Sequence, residues 1–403
     1  MALFEFKTII ELMKLKLFAL LILPTFFTFA QTTQIQVHPQ IRMPQDSIIS
    51  QQLVSALNGF LAAATQPNEK NSWVLESQRI ETHILLDEFK DIEKSKTQED
   101  DNFYKPYLQN VIALKETQYL IQLSYIGLKG DQSHLRASFE LIAHPTDGSF
   151  KFSSPLLRNT RDWKTVKVSN NIFHYAETIN EGNVETFGAL AAQFDKKLKV
   201  DNTITEFYCT ENLTALLKFM GVNYKLDYNG LQQSNFSSTL DNRKLIILGN
   251  DNATFGNLDE HDLWHDRLSL VISRRKVNKP VDEACAYLYG GSWGLSWEEI
   301  FNRFYKKVAS NKKTDWAQIK EEPMNFGESR ATHLMADYVV NALIVQQIEK
   351  DKGFAGVWEF LNCGPYENGN TNYYIALEQL TGISKKDYNK AIWKIIEKER
   401  RRM

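Results

Sequence analysis

Within the 403 residues of this chain, the stretch His261-Asp262-Leu263-Trp264-His265, with Glu283 eighteen positions beyond it, has the residue types and spacing for chemistry. On a helix, positions i and i+4 project from one face, one above the other, so both imidazoles can reach a single ion. That is half of a zinc site. The surrounding residues predict the helix independently: Asn257 is a candidate N-cap, Asp259 and Glu260 fill the first turn, and Arg274, Arg275 and Lys276 follow the end, which suits the helix dipole. A second helix, expected over residues 281–288, would carry Glu283 and stop at Gly290-Gly291.

These residues resemble the gluzincin metallopeptidases, and most of all their peptidase MA-like branch. His-x-x-x-His on one helix is followed on the next by Glu in the context Asp282-Glu283-Ala284-Cys285-Ala286-Tyr287-Leu288. The resemblance implies that His261, His265 and Glu283 are the three metal ligands and that Asp262 stands where the catalytic Glu of HExxH belongs. Three nitrogen and oxygen ligands leave the fourth position of Zn2+ to water, as in a catalytic site.

Asp262 departs from that pattern. Its carboxylate is one methylene shorter, a retreat of roughly 1.5 Å on a fixed backbone, whereas a general base works within about 2.6–3.2 Å of its proton. The metal ligands are untouched by the change, so the expectation is metal binding with slow peptidase activity or none. Metal-bound histidines usually donate their second ring nitrogen to a carboxylate or carbonyl. Thermolysin-like enzymes place an Asp four residues after the ligand Glu, where this chain has Tyr287. Tyr287 reads as core, Asp266 as a solvated acid, and Asp282 is a candidate partner by proximity alone.

With 47 basic and 49 acidic residues the net charge is −2, and no basic stripe marks a nucleic-acid partner. Lys14 and Lys16 precede an apolar run from Leu17 to Ala30, which reads as a secretory signal peptide over residues 1–30. No later run is long and apolar enough to span a bilayer, so the expected location is periplasmic or extracellular. Cys209, Cys285 and Cys363 are an odd set that permits at most one disulfide and reads as small buried hydrophobes.

After the signal, apolar residues from Ile48 to Leu61 recur at helical spacing. Strand alternation then dominates residues 111–126, 135–143, 149–153 and 164–168, with a hairpin turn at Pro145-Thr146-Asp147-Gly148. This helix followed by an antiparallel meander resembles the cystatin-like or NTF2-like fold, over a domain expected to span residues 31–175. His83, His134, His144 and His174 are scattered there without ligand spacing.

Beyond residue 175 the order becomes helix, strand (203–208), helix (211–220), strand (244–248) and the His261 helix. Helices follow to the end, among them a capping box at Ser296-Trp297-Glu298-Glu299 and a long helix over residues 327–350 that contains His333. From residue 184 to 400 this order is similar to the peptidase MA-like family, as is the closing Leu380-Thr381-Gly382-Ile383-Ser384 segment. In that family an edge strand beside the metal holds extended peptide, which makes residues 250–257 candidate cleft wall. The expectation is an α+β chain with a zincin-like, mostly helical domain over residues 176–403, hydrolysing peptide bonds with zinc on peptide or protein substrates. The alternative is an inactive pseudopeptidase that binds peptides or proteins.

Overall fold

The computed structural model describes residues 34–328 and 332–403. The signal peptide expected over residues 1–30 lies outside them. The described residues divide into two compact units, one formed by residues 34–74, Phe89–Phe139 and Ala143–Phe152, the other by Leu75–Glu88, Glu140–Ile142 and the described residues of Ser153–Met403. The second unit thus takes in residues 164–175, which were expected to close the first domain. Each unit mixes helices with a sheet, the α+β class expected.

In the first unit, helix α1 (Ser47–Ala64) starts at Asp46, whose carboxylate accepts from the amides of Ile48 and Ile49. Leu53, Ala56, Leu57, Phe60 and Leu61 form its buried stripe. The strands run in chain order across the sheet: β1 (Gln36–Val37), β2 (Lys105–Ala113), β3 (Tyr119–Lys129), β4 (Gln132–Thr146) and β5 (Ser149–Ser153). Residues 111–126, expected as one strand, are split by a turn at Lys115–Thr117 between β2 and β3. The polar run Lys115-Glu116-Thr117-Gln118 marks that reversal. Phe60 packs against Phe152 with ring centroids 5.2 Å apart, and Phe89 stacks on Phe139 at 4.1 Å.

The second unit opens with helix α2 (Arg79–Glu88) and builds a five-stranded sheet from β6 (Lys164–Val168), β7 (Asn171–Tyr175), β8 (Ile204–Cys209), β10 (Ser234–Leu240) and β11 (Arg243–Gly249). A short strand β9 (Val222–Lys225) precedes β10. The order is β10-β11-β8-β7-β6, with β11, β8 and β7 parallel and the two outer strands antiparallel to their neighbours. Helices α3 (Glu181–Leu198) and α4 (Leu213–Met220) lie between strands in the chain, and α3 links the parallel pair β7 and β8, as such pairs require.

Helices α5 (Glu260–Ser269) and α6 (Lys279–Gly290) follow β11, then α7 (Trp297–Phe304), α8 (Trp316–Glu321), α9 (Ala336–Leu361), α10 (Thr371–Thr381) and α11 (Tyr388–Arg402). The capping box expected at Ser296 and Glu299 opens α7. Helix α9 begins at Ala336 rather than residue 327, and it breaks at Gly353, whose φ of 67° is left-handed. Phe173, Phe187, Phe207 and Phe255 interlock beneath α5 in the core that it shares with Leu263 and Trp264. No described helix is long and apolar enough to cross a membrane.

Candidate metal centre

Helix α5 is positioned by its own ends and by two buried cations, Arg267 within it and Lys244 of β11, which donates to Asp266 and Ser269. Asp259, not Asn257, is the N-cap, its carboxylate accepting from the amide of Asp262 at 3.0 Å. Asn257 instead exchanges hydrogen bonds with Asn252. Buried Arg267 donates to both carboxylate oxygens of Asp195 on α3 and, at 2.7 Å, to Thr205 on β8. That pairing fixes the rotation of α5 about its axis, and with it the face that carries the histidines.

The close approach of α6 to α5 depends on Gly290. A Cβ there would stand 2.4 Å from the carbonyl oxygen of Glu260 and 2.9 Å from the amide nitrogen of His261. The end of α6 therefore runs against the start of α5 with only hydrogen between them. Gly291 next to it presents its carbonyl to Nδ1 of His261 at 2.9 Å.

This packing brings the three expected ligands together. Nε2 of His261 lies 3.2 Å from Nε2 of His265 and 3.4 Å from Oε2 of Glu283, and Nε2 of His265 lies 3.6 Å from the same oxygen. Ligands at 2.0–2.2 Å from a tetrahedral ion stand about 3.4 Å apart. The triangle therefore fits one ion of zinc's size. Among the described residues this is the one group of three or more His, Cys, Asp or Glu side chains so placed.

Both imidazoles turn Nε2 toward the place where such an ion would sit. Nδ1 of His261 faces the Gly291 carbonyl and Nδ1 of His265 faces Oδ1 of Asp282 at 3.0 Å, so each Nδ1 carries the proton and each Nε2 points into the triangle. Asp282 also accepts from the indole of Trp264 at 3.1 Å and from Nε of Arg274 at 2.8 Å. Arg274 reaches on to Oε1 of Glu283 at 3.1 Å. Sequence reasoning treated Arg274 as a helix-end charge, because nothing local marks a loop residue that folds back over α6.

Protonation follows these contacts. Burial alone would lower the pKa of His265, but Asp282 and Glu283 outweigh it and raise it to about 9. Burial would raise Glu283, yet the imidazoles of His261 and His265 hold its carboxyl far below the usual range. Asp282 is likewise held down by His265 and Arg274 against the effect of its burial.

Asp262 faces a groove of about 290 Å³, together with His265, Arg274, Asn250, Asn252 and Asn257. Asn235, Phe236 and Ser237 of the outer strand β10 line the same groove. Residues 250–257 thus do line the groove, but the strand beside it is β10, whose Ser, Asn and Thr gave no apolar alternation to read. Desolvation by the groove walls, and then the charge of Asp259, raise the pKa of Asp262.

Tyr287 donates to the His333 carbonyl at 3.1 Å and accepts from the amide of Met335 at 3.2 Å, so it braces the start of α9 and orients neither imidazole. His333 precedes α9 rather than lying within it. Asp266 pairs with Lys244 at 3.1 Å. Tyr338, in the first turn of α9, packs edge-on to Tyr287 at 5.7 Å. Burial and the nearby charge of Glu283 raise its phenol, which keeps the hydroxyl a donor. None of the three cysteines is in a disulfide; Cys285 is buried on α6 beneath the site. Compared with protein-family models, curated proteins and solved structures, the chain matches none.

Proposed function

We propose that the second unit is a zinc-dependent, peptidase-like domain of the gluzincin, peptidase MA-like kind, carried by an exported protein whose first unit is a cystatin- or NTF2-like module. The observation that carries this reading is the triangle of His261, His265 and Glu283, with side lengths of 3.2, 3.4 and 3.6 Å and both histidines oriented from behind. A set of three such ligands is the kind that leaves one position of zinc to solvent.

When bound, such an ion lowers the pKa of water and polarises a carbonyl. The chain supplies the rest. An extended peptide lying along the outer edge of β10 would exchange main-chain hydrogen bonds with it and bring a peptide bond over the His265 end of the groove. Asp262 faces that position as the base, and its raised pKa moves it toward the range where a carboxylate can take a proton and return it. Tyr338 keeps its proton on the Glu283 side, where it can donate to negative charge that develops on a carbonyl oxygen.

The second reading is a peptide-binding module on a peptidase scaffold that no longer cleaves, favoured by the short side chain of Asp262. Metal analysis of purified protein tests the first step: one zinc per chain is expected, and its absence removes both the ion and the enzyme. Hydrolysis of a mixed peptide library by zinc-loaded protein then separates enzyme from binder.

A further inference from the structure

We propose that Arg274 is a positioning residue that holds Glu283 to a single donor oxygen and so keeps one corner of the metal centre open. The inference rests on the metal reading above and extends it to a residue outside the ligand set. The two oxygens of Glu283 have different partners: Oε2 faces His261 and His265 at 3.4 and 3.6 Å, while Oε1 is engaged by Nη2 of Arg274 at 3.1 Å.

A carboxylate can meet a cation with one oxygen or with both. With Oε1 on the guanidinium, only Oε2 is directed into the triangle. For Oε1 to turn inward it would have to break a charge-assisted hydrogen bond.

Arg274 is itself fixed. Its Nε donates to Oδ2 of Asp282 at 2.8 Å, so one planar guanidinium spans two consecutive carboxylates of α6, the outer partner of His265 and the third ligand. Lysine could not do this, because a single ammonium on a flexible stem lacks the fork that meets both acids at once. The same side chain is 41% exposed and lines the groove beside Asp262 and His265. It therefore borders the position that a single-oxygen Glu283 leaves free.

Removing the charge and removing the fork have opposite expected effects on metal affinity, since a guanidinium repels a dication while it orders the ligand. R274K keeps the charge and loses the fork, which isolates the positioning role. Wild type, R274K and R274Q, checked for folding by circular dichroism, are titrated with Co2+, whose visible absorption is intense at four-coordinate and weak at five-coordinate sites. Zinc affinity is measured in parallel by competition with a chelator.

The expected result is an intense band for wild type, a clearly weaker one for both variants, and zinc affinity reduced about 10–100-fold in R274K. Wild-type absorption and affinity in R274K overturn the positioning role while leaving the metal centre standing. Failure of wild type to take up cobalt or zinc overturns the centre itself. Because Arg274 is partly exposed, R274K is the variant expected to fold, and its spectrum decides the matter if R274Q does not.

Discussion

Oδ1 of Asp282 stands 3.0 Å from Nδ1 of His265 and takes a second hydrogen bond, 3.1 Å long, from the indole of Trp264. Residues 264 and 265 are neighbours on α5, so one buried carboxylate of α6 fixes two side chains of α5 and turns Nε2 of His265 toward His261 and Glu283. The bond that joins the helices is also the one that orients the His265 ring.

Replacing Asp282 should therefore be felt at both levels. D282N is expected to weaken zinc binding about 10–100-fold. D282A should also lower stability by about 1–3 kcal/mol, because it strands buried donors on His265 and Trp264. Chelator competition and urea unfolding measure the two effects, and unchanged zinc affinity in both variants would show that His265 is oriented by something else.

The response to pH has a definite sign. His265 has a folded pKa of about 9, above its ordinary 6.5, so in metal-free protein its contribution to stability is complete below pH 6.5 and is lost as pH rises through about 9. An ion must displace that proton, which means that zinc binds more tightly over the same interval. Thermal unfolding with and without zinc should show a larger zinc-induced rise in Tm near pH 9 than near pH 6. A rise that shrinks with pH would place the ion elsewhere.

Asp262 is tested by lengthening and by deletion. If it serves as a base of short reach, D262E should hydrolyse peptides faster than wild type, approaching the 10²–10⁴-fold that general acid–base help provides, while D262A falls below wild type. Equal rates for wild type and D262A would mean that the native carboxylate is idle and would favour the binding reading. Zinc content should be the same in all three, since Asp262 is not one of the ligands.

Gly290 has a purely steric prediction. It is not among the residues with positive φ, so an alanine is strained there only by the Cβ that would meet the Glu260 carbonyl at 2.4 Å. Pushing α6 away from α5 should cost about 1–3 kcal/mol and loosen zinc, read from the urea midpoint and chelator competition. Loss of stability with unchanged zinc affinity would separate helix packing from ligand spacing.

The triangle of His261, His265 and Glu283 was legible because its components are local: i and i+4 spacing puts His261 and His265 on one face, and a short helix stopped by two glycines carries Glu283 toward them. The α1 helix and the capping box at Ser296 were legible for the same reason, a pattern and a cap within a few residues. Asp282 was only a candidate by proximity, because its bond to His265 depends on how α6 packs on α5, and Arg274 was read only as a helix-end charge, since its role arises only when a loop returns over α6. Strand β10 was missed because an outer strand facing a groove can be polar on both sides. The turn between β2 and β3 was missed although the polar run Lys115-Glu116-Thr117-Gln118 marks it, because apolar strand residues resume directly on both sides. Residues 164–168 alternate like the strands before them, yet they pair with β7, which in turn pairs with β8, a choice of sheet that periodicity does not encode.

The absent methyl at Gly290 bears on what a diverged relative could look like. The two halves of the ligand set can change neighbours, lengthen the loop between them, or trade the acid after the first histidine, but a side chain at this crossing would pry them apart. The signature to look for is then a histidine pair followed by an acid pair and closed by two glycines, with the residue after the first histidine outside that set.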